Sequence, residues 1–213
     1  MFIAGQQAPA RYFALALRPF PPAIGHHMQR LEDNAALVII DMQKGIDHPK
    51  LGRRNNPQAE LRIEALLSAW RRSARPVVHV RHISRSADSV FHPGQPGCEF
   101  QEAFVPLAHE HVVEKNVPDA FTATSLERWL STRSIRQLVI CGVVTNNSVE
   151  STVRSGGNLG FEVIVPADAA YTFDQNDLTG RHWSAEDIHA ISLSNLAMDY
   201  ATIIETGQIL NLI

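Results

Sequence analysis

The sequence predicts an α/β protein of three layers, a six-stranded parallel sheet with helices on both faces. Two observations carry this. Short, continuously apolar runs rich in β-branched residues recur from residue 35 onward, the mark of strands buried on both faces. Between them lie segments with apolar residues at i, i+3, i+4 and i+7, the stripe of a helix packed on one side. Strands alternating with helices over six units leave a parallel sheet joined by crossover helices as the simplest arrangement.

The first strand is Ala35–Ile40 (AALVII), which ends in Asp41. Asn56 is expected to cap the first helix with Pro57 at its first position, and Ile63, Leu66, Leu67 and Trp70 form the buried stripe. Pro76 stops that helix, and Val77–Val80 is the second strand. A polar stretch with Pro93, Gly94, Pro96 and Gly97 follows, long enough to cover a substrate. The third strand, His111–Glu114, runs into Lys115. Thr124 and Glu127 have the spacing of a capping box for a short helix through Leu126, Trp129 and Leu130. Gln137–Cys141 is the fourth strand, broken by Gly142 and followed by a helix over 146–159 that Gly160 closes. Phe161–Val165 is the fifth strand. Ser184 with Asp187 starts a long helix with Leu193, Leu196, Ala197 and Tyr200 on one face, and Ala201–Ile204 is the sixth strand.

Residues 1–33 read differently. Pro9, Pro19, Pro21 and Pro22 punctuate them without a sustained period, so they are expected to form an N-terminal arm ahead of a single domain at 34–213. The chain of 213 residues is 45% hydrophobic, enough for a substantial core. Nineteen Lys and Arg against 22 Asp and Glu give a net charge of −3, which carries no footprint for nucleic acid or an anionic membrane. Two cysteines are too few for a disulfide scaffold or a structural zinc site. The apolar runs are too short to span a bilayer, and the N-terminus lacks the basic region of a signal peptide. A soluble, cytoplasmic protein is expected.

Open parallel sheets bind ligands beyond the carboxyl ends of their strands. Asp41, Lys115 and the turn from Gly142 to Ser148 occupy those ends. Taken singly, each has an ordinary role: a strand-ending acid, a solvated lysine, a capping hydroxyl. Their joint placement puts an acid, an amine and a hydroxyl at one crevice, which is a catalytic kit.

Three segments resemble one family, the isochorismatase-like hydrolases, often called cysteine hydrolases. They are LVIIDMQ at 37–43, VVEKNVPDAFTATSLERWL at 112–130 and VICGVVTNNSVESTVRSGGNLGFEVIVPADA at 139–169, with IHAISLSNL at 188–196 in support. The resemblance implies strand order 3-2-1-4-5-6 and a small-molecule substrate, most directly an amide cleaved at its C–N bond. It implies a catalytic set of Asp41 as the acid or base and Lys115 as the active-site amine, with Gln43 lining the site. It also implies a cis peptide bond between Val144 and Thr145, whose N–H groups form an oxyanion hole with that of Ser148. A homo-oligomer, dimer or tetramer, is the family's usual state.

Ser148 stands where the resemblance places a nucleophilic cysteine. A hydroxyl is far harder to ionise than a thiol, so it needs a base that removes its proton as it attacks. Asp41 can serve, with Lys115 holding the carboxylate. Alternatives stay open: vinyl ether hydrolysis of an isochorismate-like substrate with no nucleophile, a replacement that traps substrate, or a domain that binds without catalysis. Cys98 and Cys141 lie in the loop and inside a strand and do not compensate.

No cofactor and no catalytic metal are expected. His79 and His82 are oddly spaced in a strand, so they face opposite sides and cannot chelate a metal together, and His82 and His92 each read as a packing or surface residue ahead of a substrate contact. Gly156, Gly157 and Gly160 come at a helix end and do not cradle phosphate. Asp168 is expected to play a structural, hydrogen-bonding role.

Overall fold

The computed structural model describes residues 31–213. In chain order it contains β1 (Ala36–Ile40), α1 (Ala59–Arg72), β2 (Val77–His82), β3 (His111–Lys115), α2 (Leu126–Ser131), β4 (Gln137–Val143) and α3 (Glu150–Asn158). There follow β5 (Glu162–Pro166), β6 (Ala170–Tyr171), β7 (Gln175–Asn176), β8 (His182–Trp183), α4 (Ala185–Asp199), β9 (Thr202–Ile204) and α5 (Thr206–Leu210). The main sheet runs β3-β2-β1-β4-β5-β9, all parallel, which is the expected order of its six principal strands.

Alternate residues of β1 explain why it lies at the centre. Leu37 and Ile39 pack with Ile63, Leu66 and Trp70 of α1 and Ile209 of α5. Ala36, Val38 and Ile40 pack on the other side with Leu126 and Leu130 of α2, Val153 of α3 and Leu196 of α4. A strand buried on both faces needs an apolar residue at every position, and each buried aliphatic side chain contributes about 1.5–3 kcal/mol. The chain runs from β1 outward through β2 to β3, then returns to place β4 on the other side of β1. The strand order therefore reverses between β1 and β4, and the carboxyl ends of those two strands are where open parallel sheets place their ligands. Asp41 follows β1, and Ser148 lies in the turn after β4.

Several local expectations are corrected. Asn56 does not cap α1, which begins at Ala59. Asn56 adopts a left-handed backbone (φ 44°), which asparagine tolerates better than most residues, and its amide donates to Ala167 O and Ala170 O at 2.9 and 2.7 Å. The Thr124–Glu127 box does not form: Thr124 Oγ1 accepts from the Leu126 N–H at 3.2 Å and donates to Ala120 O at 2.6 Å. The helix expected over 146–159 opens with a π-helical turn, Thr145–Val149, before α3 starts. In α4, Leu193 and Leu196 are buried and Ala197 is exposed.

Gly142 does not break β4, which continues to Val143. It sits at φ +111°, and a Cβ there would lie 2.2 Å from Ile40 O. Glycine is what lets β4 approach β1 this closely next to Asp41. Just beyond, β6 pairs with Gly142 and Val143, adding a seventh strand, and β7 and β8 form a small antiparallel pair. Two-residue strands are too short to show a period in sequence.

Most of the N-terminal arm lies outside the described residues. Its last part, 31–33, joins the folded unit: Leu31 is fully buried in the α1-side core, and the Glu32 N–H donates to Gln137 Oε1 at 2.9 Å.

Candidate active site

Asp41 takes its place because β1 ends there and the backbone turns. Its N–H donates to Val80 O at 2.9 Å, the last tie to the sheet, and its φ of 53° is left-handed. Aspartate is among the few side chains that visit this region without large strain. Lys115 is the last residue of β3 and its side chain is fully buried. Ser148 sits in the π-helical turn, where the wider i to i+5 pattern is marked by the Val149 N–H donating to Val144 O at 3.2 Å. Thr152 steadies that turn, donating its hydroxyl to Ser148 O at 2.8 Å and accepting from the Ala120 N–H at 3.0 Å.

The three side chains converge. Lys115 Nζ donates to Asp41 Oδ2 at 2.6 Å and to Ser148 Oγ at 3.2 Å. Asp41, Lys115 and Ser148 are 5%, 3% and 7% exposed, so their interactions are sheltered from bulk water. Burial raises the Asp41 carboxyl above its ordinary value, opposed by the Lys115 charge and by hydrogen bonds from Lys115 and Ser148. Asp41 Oδ1 has no hydrogen-bond partner among the described residues. An acid whose proton affinity is raised, one oxygen of which is unengaged, is suited to accept and return a proton.

The turn carrying Ser148 is braced from α4. Thr145 Oγ1 and His189 Nδ1 are 2.9 Å apart, and His189 Nε2 is 3.1 Å from Ala167 O. A carbonyl only accepts, so Nε2 carries the proton, Nδ1 accepts, and the Thr145 hydroxyl donates. The Thr145 side chain is thus engaged by α4. His189 escaped the sequence reading, although it lies inside the IHAISLSNL segment; only its contact with Thr145 distinguishes it. The non-proline cis peptide bond lies between Val143 and Val144, one residue earlier than expected.

Gln43 departs from its expected position lining the site. It is fully buried, and its side chain accepts from the His82 N–H at 2.7 Å while donating to His82 O at 3.0 Å and Cys98 O at 3.1 Å. It clamps the end of β2 to the loop that follows. That loop is further tied by Lys44 to Glu99 at 2.5 Å and Gln101 to Asp47 at 2.8 Å. His79 and His82 do face opposite sides: His79 is buried with Nε2 2.9 Å from Glu110 Oε2, while His82 is half-buried in register with Lys115.

Neither cysteine stands near the role of Ser148. Cys141 is buried within β4, which pushes its thiol far up, and Cys98 Sγ donates to Phe91 O and His92 O at 2.7 and 3.1 Å. Asp168 accepts from the Thr206 N–H at 2.8 Å and its hydroxyl at 2.7 Å, steadying the start of α5. Among the described residues there is no group of three His, Cys, Asp or Glu side chains that could hold a metal ion, and no helix is long and apolar enough to cross a membrane.

Comparison with known proteins sets this geometry in context. Residues 35–208 match the isochorismatase domain. A solved hydrolase of the isochorismatase family from Chromobacterium violaceum is similar at 42% identity and a TM-score of 0.83, over 86% of this chain and 96% of that one. The isochorismatase family protein YrdC of Bacillus subtilis is 37% identical over 181 residues, 85% of this chain and 97% of its own. Nicotinamidase 3 of Arabidopsis thaliana is 26% identical over 188 residues, 82% of this chain and 86% of its own.

Proposed function

The chain belongs to the isochorismatase family of hydrolases, and we propose that it cleaves the C–N bond of a small amide through an acyl-enzyme intermediate on Ser148. The observation that carries the reading is the double hydrogen bond of Lys115 Nζ, to Asp41 and to Ser148, with all three residues buried past the carboxyl ends of the strands. The similarity to a nicotinamidase supports an amide as the bond cleaved.

In this reading Ser148 Oγ attacks the substrate carbonyl carbon as Asp41 takes its proton. Lys115 orients both groups and balances the carboxylate. The oxyanion forming on the carbonyl oxygen is received by backbone N–H groups of the Val144, Thr145 and Ser148 turn. Collapse breaks the C–N bond, and the leaving nitrogen takes the proton from Asp41. Water then attacks the acyl group, passing a proton to Asp41, and the acid leaves with Ser148 restored. Burial of Asp41 helps here, because a hydroxyl needs a stronger base than a thiol beside the same lysine.

A second reading has its own support. Burial that raises Asp41 also favours a protonated acid, the group needed to protonate a vinyl ether without any nucleophile. Ser148→Ala separates the two: it abolishes amide turnover in the first reading and is tolerated in the second, where Asp41→Asn is fatal. Ser148→Cys should preserve or raise amide hydrolysis, since the surroundings already suit a thiolate. Full amide turnover by Ser148→Ala would end the serine-nucleophile reading.

The same reading carries a cytoplasmic homo-oligomer, a dimer or tetramer. Ile191 and Met198 on α4 are 63% and 72% exposed, apolar surface of the kind that association covers. A solution mass of one 23.6 kDa chain at micromolar concentration would count against it.

A further inference from the structure

His82 ends β2 in direct register with Lys115 of β3. Side chains in register on neighbouring strands leave the sheet on the same face, so the imidazole stands beside the ammonium that joins Asp41 to Ser148. Its position is tightly specified. The buried Gln43 amide holds both its N–H and its carbonyl, and Phe91 meets the ring edge-on with centroids 6.1 Å apart. Yet no group among the described residues hydrogen-bonds either ring nitrogen, and the side chain is half-buried rather than sealed. His79, three residues earlier, is fully buried and has its Nε2 engaged by Glu110.

We propose that His82 is a further catalytic-site residue, one that hydrogen-bonds the amide group of the substrate beside Lys115. The proposal rests on the amide-hydrolase reading above. Burial and the Lys115 charge hold the imidazole below its ordinary value, with Asp41 opposing, which favours its neutral form. A neutral imidazole offers one donor and one acceptor nitrogen, and an amide offers the complementary N–H and C=O. A protonated imidazole beside Lys115 would place two cations side by side. The ordinary role for a half-buried strand histidine is packing, but His82 stands beside the Lys115–Asp41–Ser148 contact with neither ring nitrogen engaged by a described residue.

The test uses the full-length Ser148→Cys protein and two thiol reagents, iodoacetamide, which carries a primary amide, and methyl methanethiosulfonate, which carries none. Labelling at position 148 is followed by peptide mass. Adding His82→Phe keeps the edge contact with Phe91 and removes both nitrogens. It should slow iodoacetamide about tenfold, the size of one lost hydrogen bond, and leave the methanethiosulfonate rate unchanged. His82→Gln, which keeps a hydrogen-bonding end, should restore most of the iodoacetamide rate, and His82→Met should behave as the phenylalanine variant does. Equal slowing of both reagents would mean a general disturbance of the thiol's surroundings and would overturn the proposal, as would no slowing of either. Because the readout is thiol labelling, failure of serine-based amide hydrolysis leaves this result standing.

Discussion

Asp41 and Lys115, 74 residues apart in the chain, meet at 2.6 Å with side chains 8% and 0% exposed. Their attraction is strong away from bulk water, and each charge makes the other's burial tolerable. In the proposed mechanism the pair links stability to chemistry, because the same contact that neutralises two buried charges would also present a base to Ser148.

The pH profile of amide turnover should reflect that base. Asp41 must be ionised to accept the Ser148 proton, and burial raises its carboxyl above the ordinary value of 3.8. On the acid side kcat/KM should fall as pH drops through a value above 3.8. Lys115→Met removes the charge that opposes the rise, so it should move this limb to still higher pH and lower kcat at least tenfold. A rate that climbs as pH falls through the same range would favour the vinyl ether reading.

Acid stability should depend on Glu110. Burial alone would push it up, but Arg71, the Leu107 N–H and His79 donate to it and hold it at about 2 against an ordinary 4.5. A lowered folded value means stability that is present above pH 4.5 and lost as pH falls toward 2. Urea titrations between pH 7 and pH 3 should show wild type losing more stability than Glu110→Gln over that range.

Gly142→Ala should be destabilising by at least ~2 kcal/mol, through backbone strain and a steric clash together. Its Cβ would meet Ile40 O at 2.2 Å in a backbone conformation at φ +111°. Because β1 and β4 would have to separate next to Asp41, the variant should also lose turnover, which denaturant midpoints and rates measured on the same sample would check.

Treatment with EDTA should leave amide turnover unchanged. The reading uses an aspartate, a lysine and a serine, and no step needs a Lewis acid. Loss of activity on chelation, restored by a divalent ion, would contradict it.

The apolar runs and helical stripes determined the layer architecture, because burial on one face or two imposes a period that survives in the sequence. Ala36–Ile40 is apolar at every position since α1 and α5 cover one face and α2, α3 and α4 the other. The strand-end positions of Asp41 and Lys115, and the hydroxyl at Ser148, were legible for the same reason: strand ends can be counted. What sequence could not reach were relations between residues distant in the chain. Asn56 reads as a cap, yet its amide is drawn to carbonyls at 167 and 170. Gln43 reads as lining the site, yet both ends of its amide are engaged by the backbone of His82 and Cys98. His189 carries no local signal at all, and its role as a brace exists only because α4 packs against the Thr145 turn. Local preference sets periods and strand ends; which polar group satisfies which is decided by the packing of elements, since a buried donor or acceptor takes whatever partner the folded chain brings within reach.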